Sequence, residues 1–266
     1  MTAENSTFPT DSSCSSTTLP SKRVAIFAAT LWEVQAVQGA LGEGVARHVD
    51  GLSVLVYAGG GREYWLVQTG VGPEKARRAA ARLFAHQSFS LAVSTGFACA
   101  LMTTEIGALL VGRDVVASAG QDSDVSLPVE VPGNEREVML QLAEGAGQPV
   151  HIGRFVSTDR IIPSAAEKRR FASATAAVGL DMESAALATE AQRARVPFVI
   201  VRTVSDLLDE DLPLDFNLFL RPTGWLKGLA ALIGNPSSVA GLCRLRRQSR
   251  AAAQNLTLFF RWYAQG

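Results

Sequence analysis

Short apolar segments alternate along this chain with longer segments of helical periodicity. The runs RVAIFAAT, VHIGRFVST and PFVIVRTVSD have the length and composition of buried strands. Between such runs, segments like GVGPEKARRAAARLFAHQ repeat small or apolar residues every three or four positions, and Pro73 marks the first turn of a helix. Apolar strands that alternate with helices predict an α/β fold, a three-layer α/β/α sandwich around a central mixed sheet.

The two ends of the chain differ from this alternating pattern. Residues 1–21 are rich in Ser and Thr and contain no apolar core segment, so we expect a disordered leader rather than a secretory signal. Residues 22–215 hold the strands and helices of the predicted domain. Residues 216–266 form a basic extension in which no acidic residue occurs and seven Lys or Arg residues remain, although the whole chain has zero net charge.

The apolar residues of the extension follow helical spacing and predict an amphipathic helix. They are Leu242, Leu245, Ala252, Leu256, Phe259 or Phe260, and Tyr263. The apolar stripe either packs on the domain or on a second subunit, or lies on an anionic membrane surface. We expect no nucleic-acid partner, because aromatic residues are not interleaved with the basic ones.

Composition limits the compartment and the cofactors. The chain is 47% hydrophobic and 19% charged, as in ordinary globular proteins, and no apolar run is long enough to span a bilayer. Its three cysteines are scattered and show no C-x-x-C spacing, which supports neither a disulfide framework nor a metal site. A reducing, cytoplasmic location is the expectation, with peripheral membrane contact through the C-terminal helix as the alternative.

Acidic residues occur where several predicted strands end. Glu33 follows the first strand, Asp181 and Glu183 follow a middle strand, and Asp206 ends the last one, four residues after Arg202. Ligand sites in α/β sheets are found at the carboxyl ends of strands, where perturbed carboxylates suit acid–base chemistry. Each acid also has a simpler interpretation: a helix cap for Asp181, a solvated first-turn residue for Glu33 and a loop residue for Asp206.

Four segments identify a family resemblance. TGVGPEKA, STGFACAL, GLDMESAALA and VRTVSDLLDEDLP, in this order, resemble the nucleoside phosphorylase and nucleosidase superfamily. The closest pattern is that of the methylthioadenosine/S-adenosylhomocysteine nucleosidases and their hopanoid-associated relatives. The resemblance covers residues 22–215, which it identifies as the catalytic domain.

The resemblance implies a role for each motif residue. Asp206 matches the general acid that protonates the purine, and Glu183 matches the carboxylate that holds the ribose hydroxyls. Glu33 matches the acid that activates the attacking water, helped by Arg202. Met182 is expected to pack against sugar and base.

Two further segments are expected to bind substrate. The segment VSTDRII resembles the base-binding loop, so Ile161 and Ile162 are expected to contact the purine, partly through backbone groups. The turn formed by Ser94, Thr95, Gly96 and Phe97 is expected to line the sugar site. The resemblance further implies a small purine nucleoside as ligand, no metal or organic cofactor, and a homodimer or larger homo-oligomer.

The nucleophile is expected to be water. Phosphorolytic relatives bind phosphate with arginines, whereas this chain has Ser94 at one such position and Glu33 in place of the early arginine loop. A carboxylate there repels a dianion. The favoured activity is hydrolysis of the N-glycosidic bond of a 5′-substituted adenine nucleoside. The alternatives are a phosphate-dependent phosphorylase, release of adenine from adenosylhopane, and a non-catalytic nucleoside-binding module.

Overall fold

A computed structural model describes residues 22–118, 126, 128–145, 147–213, 217 and 236–265. The predicted leader, residues 1–21, and the predicted domain boundary at 215/216 lie outside these residues. The strands are β1 (Lys22–Ala28), β2 (Val45–Val49), β3 (Leu52–Gly59), β4 (Arg62–Gln68), β5 (Leu91–Ala100), β6 (Leu109–Ser118), β7 (Val129–Glu130), β8 (Val150–Thr158), β9 (Ala177–Asp181) and β10 (Phe198–Asp206). The helices are α1 (Leu31–Leu41), α2 (Pro73–His86), α3 (Gly133–Gly145), α4 (Ala165–Thr175), α5 (Ser184–Ala194) and α6 (Pro236–Gln265).

The strands form one mixed sheet, part of which closes on itself. β4, β1, β5 and β10 are parallel neighbours, and β3 and β2 extend the β4 edge in antiparallel fashion. Beyond β10 the sheet continues through β6, β8 and β9, and β9 pairs back onto β5. Helix α6 contacts both α1 and α3, α2 contacts α5, and all five of these helices contact the sheet. The predicted α/β fold with a central mixed sheet is confirmed.

Local sequence explains the elements that border the site. Thr30 caps α1: its Oγ1 accepts from the Glu33 N–H, and the Glu33 carboxylate accepts from the Thr30 N–H, which forms a capping box. Pro73 begins α2, as predicted. β3 and β4 form a hairpin, and its turn residues Gly60 and Gly61 both have positive φ, as a type I′ turn requires.

Three elements differ from the sequence-based expectation. The segment STGFA does not end its strand, because β5 continues through it to Ala100. β9 runs antiparallel to β5 and pairs with its last two residues, Cys99 and Ala100, so the two strands do not end at a shared sheet edge. The edge strand β2 was not predicted, because four of its five residues are exposed and it lacks an apolar face.

Helix α6 packs on the domain. Ala252, Leu256, Phe259, Phe260 and Tyr263 are each at most 1% exposed, and the last four belong to the same hydrophobic cluster as the sheet. Leu242 and Leu245 are half-buried. Of the two alternatives for the apolar stripe, the structure therefore favours packing on the domain. The expected membrane contact loses its support, because these apolar side chains are not available to a bilayer.

No helix within the described ranges combines the length and the apolar character needed to cross a membrane.

Candidate active site

A cavity of about 260 Å³ brings the predicted acids together. Its charged lining consists of Glu33, Asp181, Glu183, Asp206 and Arg202. The apolar and neutral lining comes from Ala29, Thr30, Val71, Phe97, Ala98, Cys99, Ile161, Ile162, Leu180, Met182, Ser205 and Leu212. Among the residues that line this cavity, Arg202 is the only cation, so its wall is rich in negative charge.

Arg202 is the buried centre of the charged group. It lies on β10, is 1% exposed, and its Nε is 2.7 Å from Asp181 Oδ2. Its other guanidinium nitrogens lie 3.4 Å from Glu183 Oε2 and 3.0 Å from the Phe97 carbonyl. Burial acts to lower the pKa of Arg202, but Asp181, Glu183 and Glu33 outweigh it and the pKa is raised. Arg202 is therefore a fixed cation that partly neutralises the carboxylates.

Asp181 holds the start of α5 and the Arg202 side chain in place. Its Oδ1 accepts hydrogen bonds from the backbone N–H groups of Glu183 and Ser184, at the start of α5. Its Oδ2 bonds Arg202 and the Ser184 hydroxyl. Glu183 occupies the N-cap position of α5, so Asp181 is not the cap residue that the sequence suggested, although it accepts from backbone N–H groups at the start of the helix. Asp181 is also the partner that orients Arg202.

Glu183 is held between a backbone donor and the guanidinium. Its Oε1 accepts from the Gly72 N–H at 2.9 Å, and the residue is 5% exposed. Burial is the largest influence on its carboxyl, and together with Asp181 and Glu33 it outweighs Arg202 and raises the pKa of Glu183 to about 7. The carboxyl group therefore changes its protonation state near neutral pH, which suits a residue that exchanges hydrogen bonds with sugar hydroxyls.

Glu33 is fixed by several backbone donors. Oε2 accepts from the Ala29 and Thr30 N–H groups at 3.0 and 2.7 Å, and Oε1 accepts from the Phe97 N–H at 2.7 Å. Gly96 makes this approach possible, because it has φ +135° and an added Cβ would lie 2.2 Å from Glu33 Oε1. Oε1 accepts one donor only, so it retains a lone pair for a further donor such as water.

Asp206 is aimed by an irregularity in β10. The β10–β5 register shifts between Val204 and Asp206, so that Asp206 pairs with Cys99 and Ser205 is an extra residue. Lys168 of α4 donates to Asp206 Oδ2 at 2.8 Å. The carboxyl group lines the same cavity as Arg202, and β10 presents both residues.

Ser94, Thr95 and Gly96 are not among the residues that line the cavity. Ser94 Oγ accepts from Arg202 at 3.1 Å, and Thr95 Oγ1 donates to the Val201 carbonyl at 2.9 Å; both residues are fully buried. We therefore expect Ser94 to act through Arg202 instead of binding substrate directly. Phe97 and Met182 do line the cavity, as predicted.

Ile161 and Ile162 line the cavity, but the backbone groups of Ile161 already have a hydrogen-bond partner. The Asn217 side chain accepts from the Ile161 N–H and donates to the Ile161 carbonyl, both at 2.8 Å. The side-chain amide of Asn217 has a donor and an acceptor next to each other, so it pairs with both the N–H and the carbonyl of Ile161. The family resemblance had implied that such backbone groups contact the purine. In this conformation Ile161 offers its side chain to the cavity.

Lys168 was missed by the sequence analysis. It lies in the run EKRR, where a lysine suggests a solvated face, yet it is fully buried. A signal was present: Ala165, Lys168, Phe171 and Thr175 recur at spacings of three and four, and all are buried in α4. A charge on the apolar face of a helix indicates a buried partner.

Comparison with known proteins identifies the family. Residues 23–221 match the family model described as the phosphorylase superfamily. The chain is 27% identical over 174 residues to a 5′-methylthioadenosine/S-adenosylhomocysteine nucleosidase of Staphylococcus aureus, covering 60% of this chain and 75% of that protein.

Solved structures show the same fold. Native futalosine hydrolase of Helicobacter pylori has a TM-score of 0.69 at 16% identity, covering 90% of this chain and 97% of that one. An S-adenosylhomocysteine nucleosidase from Streptococcus pyogenes, in complex with 5-methylthiotubericidin, has a TM-score of 0.67 at 20% identity, covering 91% and 98%. The predicted relationship is confirmed, and the chain belongs to the phosphorylase superfamily.

Proposed function

We propose that this protein hydrolyses the N-glycosidic bond of a 5′-substituted adenine nucleoside. The observation that supports this most strongly is the charge of the cavity, whose lining contains four carboxyl groups and a single guanidinium. Cleavage of an N-glycosidic bond builds positive charge on the ribose and negative charge on the departing base. A wall rich in carboxylates favours the cationic sugar, and a preorganised charge of this kind is often the largest contribution to catalysis.

The residues divide into three roles. Asp206 donates a proton to the purine as the C–N bond breaks, which converts the base into a neutral leaving group. Glu183 binds the ribose hydroxyls, and Met182 packs against the sugar and base. Glu33 accepts a hydrogen bond from the attacking water at Oε1 and takes its proton as the new C–O bond forms, while Arg202 holds Glu183 in place.

Water is favoured over phosphate as the nucleophile by the same distribution of charge. Phosphate is a dianion that needs several donors and positive charge. Arg202 already contacts Asp181, Glu183 and the Phe97 carbonyl, so little of its charge is available to a second anion. Glu33 adds a further repulsive charge beside it.

Two relatives guide the choice of substrates. The Staphylococcus aureus relative is named for methylthioadenosine and S-adenosylhomocysteine, and the Streptococcus pyogenes structure contains a nucleoside analogue. We therefore propose these two nucleosides first and adenosylhopane as the lipid-linked alternative. A homodimer or larger assembly and a cytoplasmic location remain predictions from the sequence.

The test follows free base from methylthioadenosine, S-adenosylhomocysteine, inosine and an adenosyl lipid, with and without phosphate. We expect adenine release that does not depend on phosphate and that Asp206→Asn lowers by at least about 100-fold, the usual contribution of a general acid. Asp209→Asn is the matched control, because Asp209 is exposed and pairs with Arg169 outside the cavity. Release that requires phosphate would identify a phosphorylase. Tight nucleoside binding without release would identify a binding module.

A further inference from the structure

Lys168 is a charged side chain with no access to solvent. The residue is 0% exposed, and its ammonium group bonds the segment after β10. Lysine is almost never fully buried unless it is paired, because desolvation of an ammonium group is unfavourable. A buried lysine next to the predicted acid therefore needs an explanation within the site.

The ammonium group uses all of its donors. Nζ donates to Asp206 Oδ2 at 2.8 Å, to the Leu207 carbonyl at 3.0 Å and to the Glu210 carbonyl at 2.8 Å. Three acceptors require three N–H bonds, which only the protonated amine has. Burial acts to lower the pKa of Lys168, but the neighbouring acidic groups Cys99, Asp206 and Glu210 outweigh it and raise the pKa.

The same geometry excludes Lys168 from direct contact with substrate and leaves one oxygen of Asp206 available. Lys168 has no donor left for a ligand and does not line the cavity. It holds Oδ2, whereas Oδ1 accepts a longer hydrogen bond of 3.3 Å from the Ser205 hydroxyl. Oδ1 is thus the oxygen left to meet the purine.

We propose that Lys168 is a positioning residue for Asp206: it fixes Oδ2 and the backbone after β10, and its charge influences the pH range over which the enzyme is active. This inference rests on the proposed role of Asp206 as the acid. Lys168 is not itself a catalytic residue, because it acts only through the carboxyl group that it holds.

The pH dependence follows from the charge. A nearby cation favours the ionised form of a carboxyl group, whereas the proposed reaction needs a protonated acid. Removal of the Lys168 charge should therefore move the alkaline limb of the activity profile to higher pH.

Other groups face the pair from three directions. Cys99 lies on β5, Glu210 lies in the segment after β10, and Glu183 and Arg202 lie in the same cavity. Burial, followed by the charge of Asp206, raises the pKa of the Cys99 thiol well above its usual value. The thiol is therefore uncharged through the neutral range and does not titrate where the limb is measured.

The experiment compares pH profiles of kcat and kcat/KM for adenine release from methylthioadenosine. Lys168→Met and Lys168→Gln both remove the charge, and Lys168→Arg retains it. Arg169→Met is the matched control, because it removes a neighbouring charge of α4 whose side chain is exposed and pairs with Asp209. Thermal unfolding of each variant shows which ones fold.

We expect both uncharged variants to lower kcat by about 10- to 100-fold at neutral pH, below the full contribution of a general acid. Their alkaline limbs should move up by about one pH unit, while those of Lys168→Arg and Arg169→Met stay at the wild-type position. If Lys168→Met does not fold, Lys168→Gln, which retains donors for the two carbonyls, provides the same comparison.

An unchanged alkaline limb in a folded uncharged variant would overturn the proposal and leave Lys168 with a structural role only. Failure of the proposed function would look different. The wild-type protein would then release no base without phosphate, whereas failure of this inference alone requires a wild type that is active without phosphate.

Discussion

Glu183 is buried in the cavity wall, and some of its neighbours raise the pKa of its carboxyl group while others lower it. Burial, Asp181 and Glu33 raise the pKa of this carboxyl group, while Arg202 and the Gly72 N–H lower it, and the result is about 7. A carboxyl group that is neutral during part of the cycle can donate a hydrogen bond to a sugar oxygen as well as accept one. The same property makes the folded state sensitive to pH.

Because the pKa of Glu183 is 4.5 as an ordinary carboxyl and about 7 in the fold, its contribution to stability is fully present below pH 4.5. That contribution is lost as the pH rises through 7. We expect the Glu183→Gln variant to lack this loss, which corresponds to about 3 kcal/mol for such a shift. The measurement is the free energy of unfolding in urea at several pH values.

Glu74→Gln is the control for this measurement, because Glu74 is exposed on α2 and pairs with Arg77. It should keep the wild-type pH dependence. A Glu183→Gln variant with the wild-type slope between pH 5 and 8 would show that Glu183 does not titrate in this range.

Sequence reasoning identified the residues that touch the cavity better than those that support them. Glu33, Glu183, Arg202 and Asp206 occur in motifs that specify their positions. Lys168 lies in a run of charges that conceals it, and its partner is distant in sequence. Such a pairing depends on where α4 packs, which local pattern does not determine.

At the scale of elements, α6 links the C-terminal residues to the sheet and to α1. Its Thr257 hydroxyl donates to the Ala36 carbonyl at 2.8 Å, and Asn255 donates to the Gly107 carbonyl at 3.0 Å. α1 positions Glu33 through its capping box. Helix α6 therefore supports α1, which presents Glu33, a predicted catalytic residue.

We expect Phe260→Ala to lower the free energy of unfolding by about 3–5 kcal/mol, because the ring is fully buried and its removal leaves a cavity. Trp262→Ala is the control on the same helix, because Trp262 is 47% exposed; we expect its effect to stay below about 1 kcal/mol. Chemical denaturation measures both. Equal effects of the two substitutions would indicate that α6 does not pack on the sheet in solution.

Spacing of apolar residues was sufficient to predict α6 and most strands, because burial of one face dictates that spacing. It did not predict β2, whose residues are mostly exposed. The direction of β9 relative to β5 could not be predicted either, because an apolar run has the same pattern in parallel and antiparallel pairing.

Across the whole molecule, closure of β5, β10, β6, β8 and β9 into a ring determines where the site forms. β9 pairs with the last two residues of β5, and Asp181 and Glu183 line the same cavity as Phe97, Ala98 and Cys99 of β5. β10 lies on the other side of β5 and contributes Arg202 and Asp206. Family motifs predicted that these residues meet, but the ring that brings them together is a property of long-range pairing.

A cavity whose single cation is already paired with carboxylates should use water as its nucleophile. The identity of the sugar formed from methylthioadenosine shows which nucleophile reacts, when the reaction runs in ¹⁸O-labelled water that also contains phosphate and the product is analysed by mass spectrometry. We expect free methylthioribose with one solvent oxygen at the anomeric carbon, and adenine in equal amount. Methylthioribose 1-phosphate as the product would show that phosphate, not water, attacks the sugar.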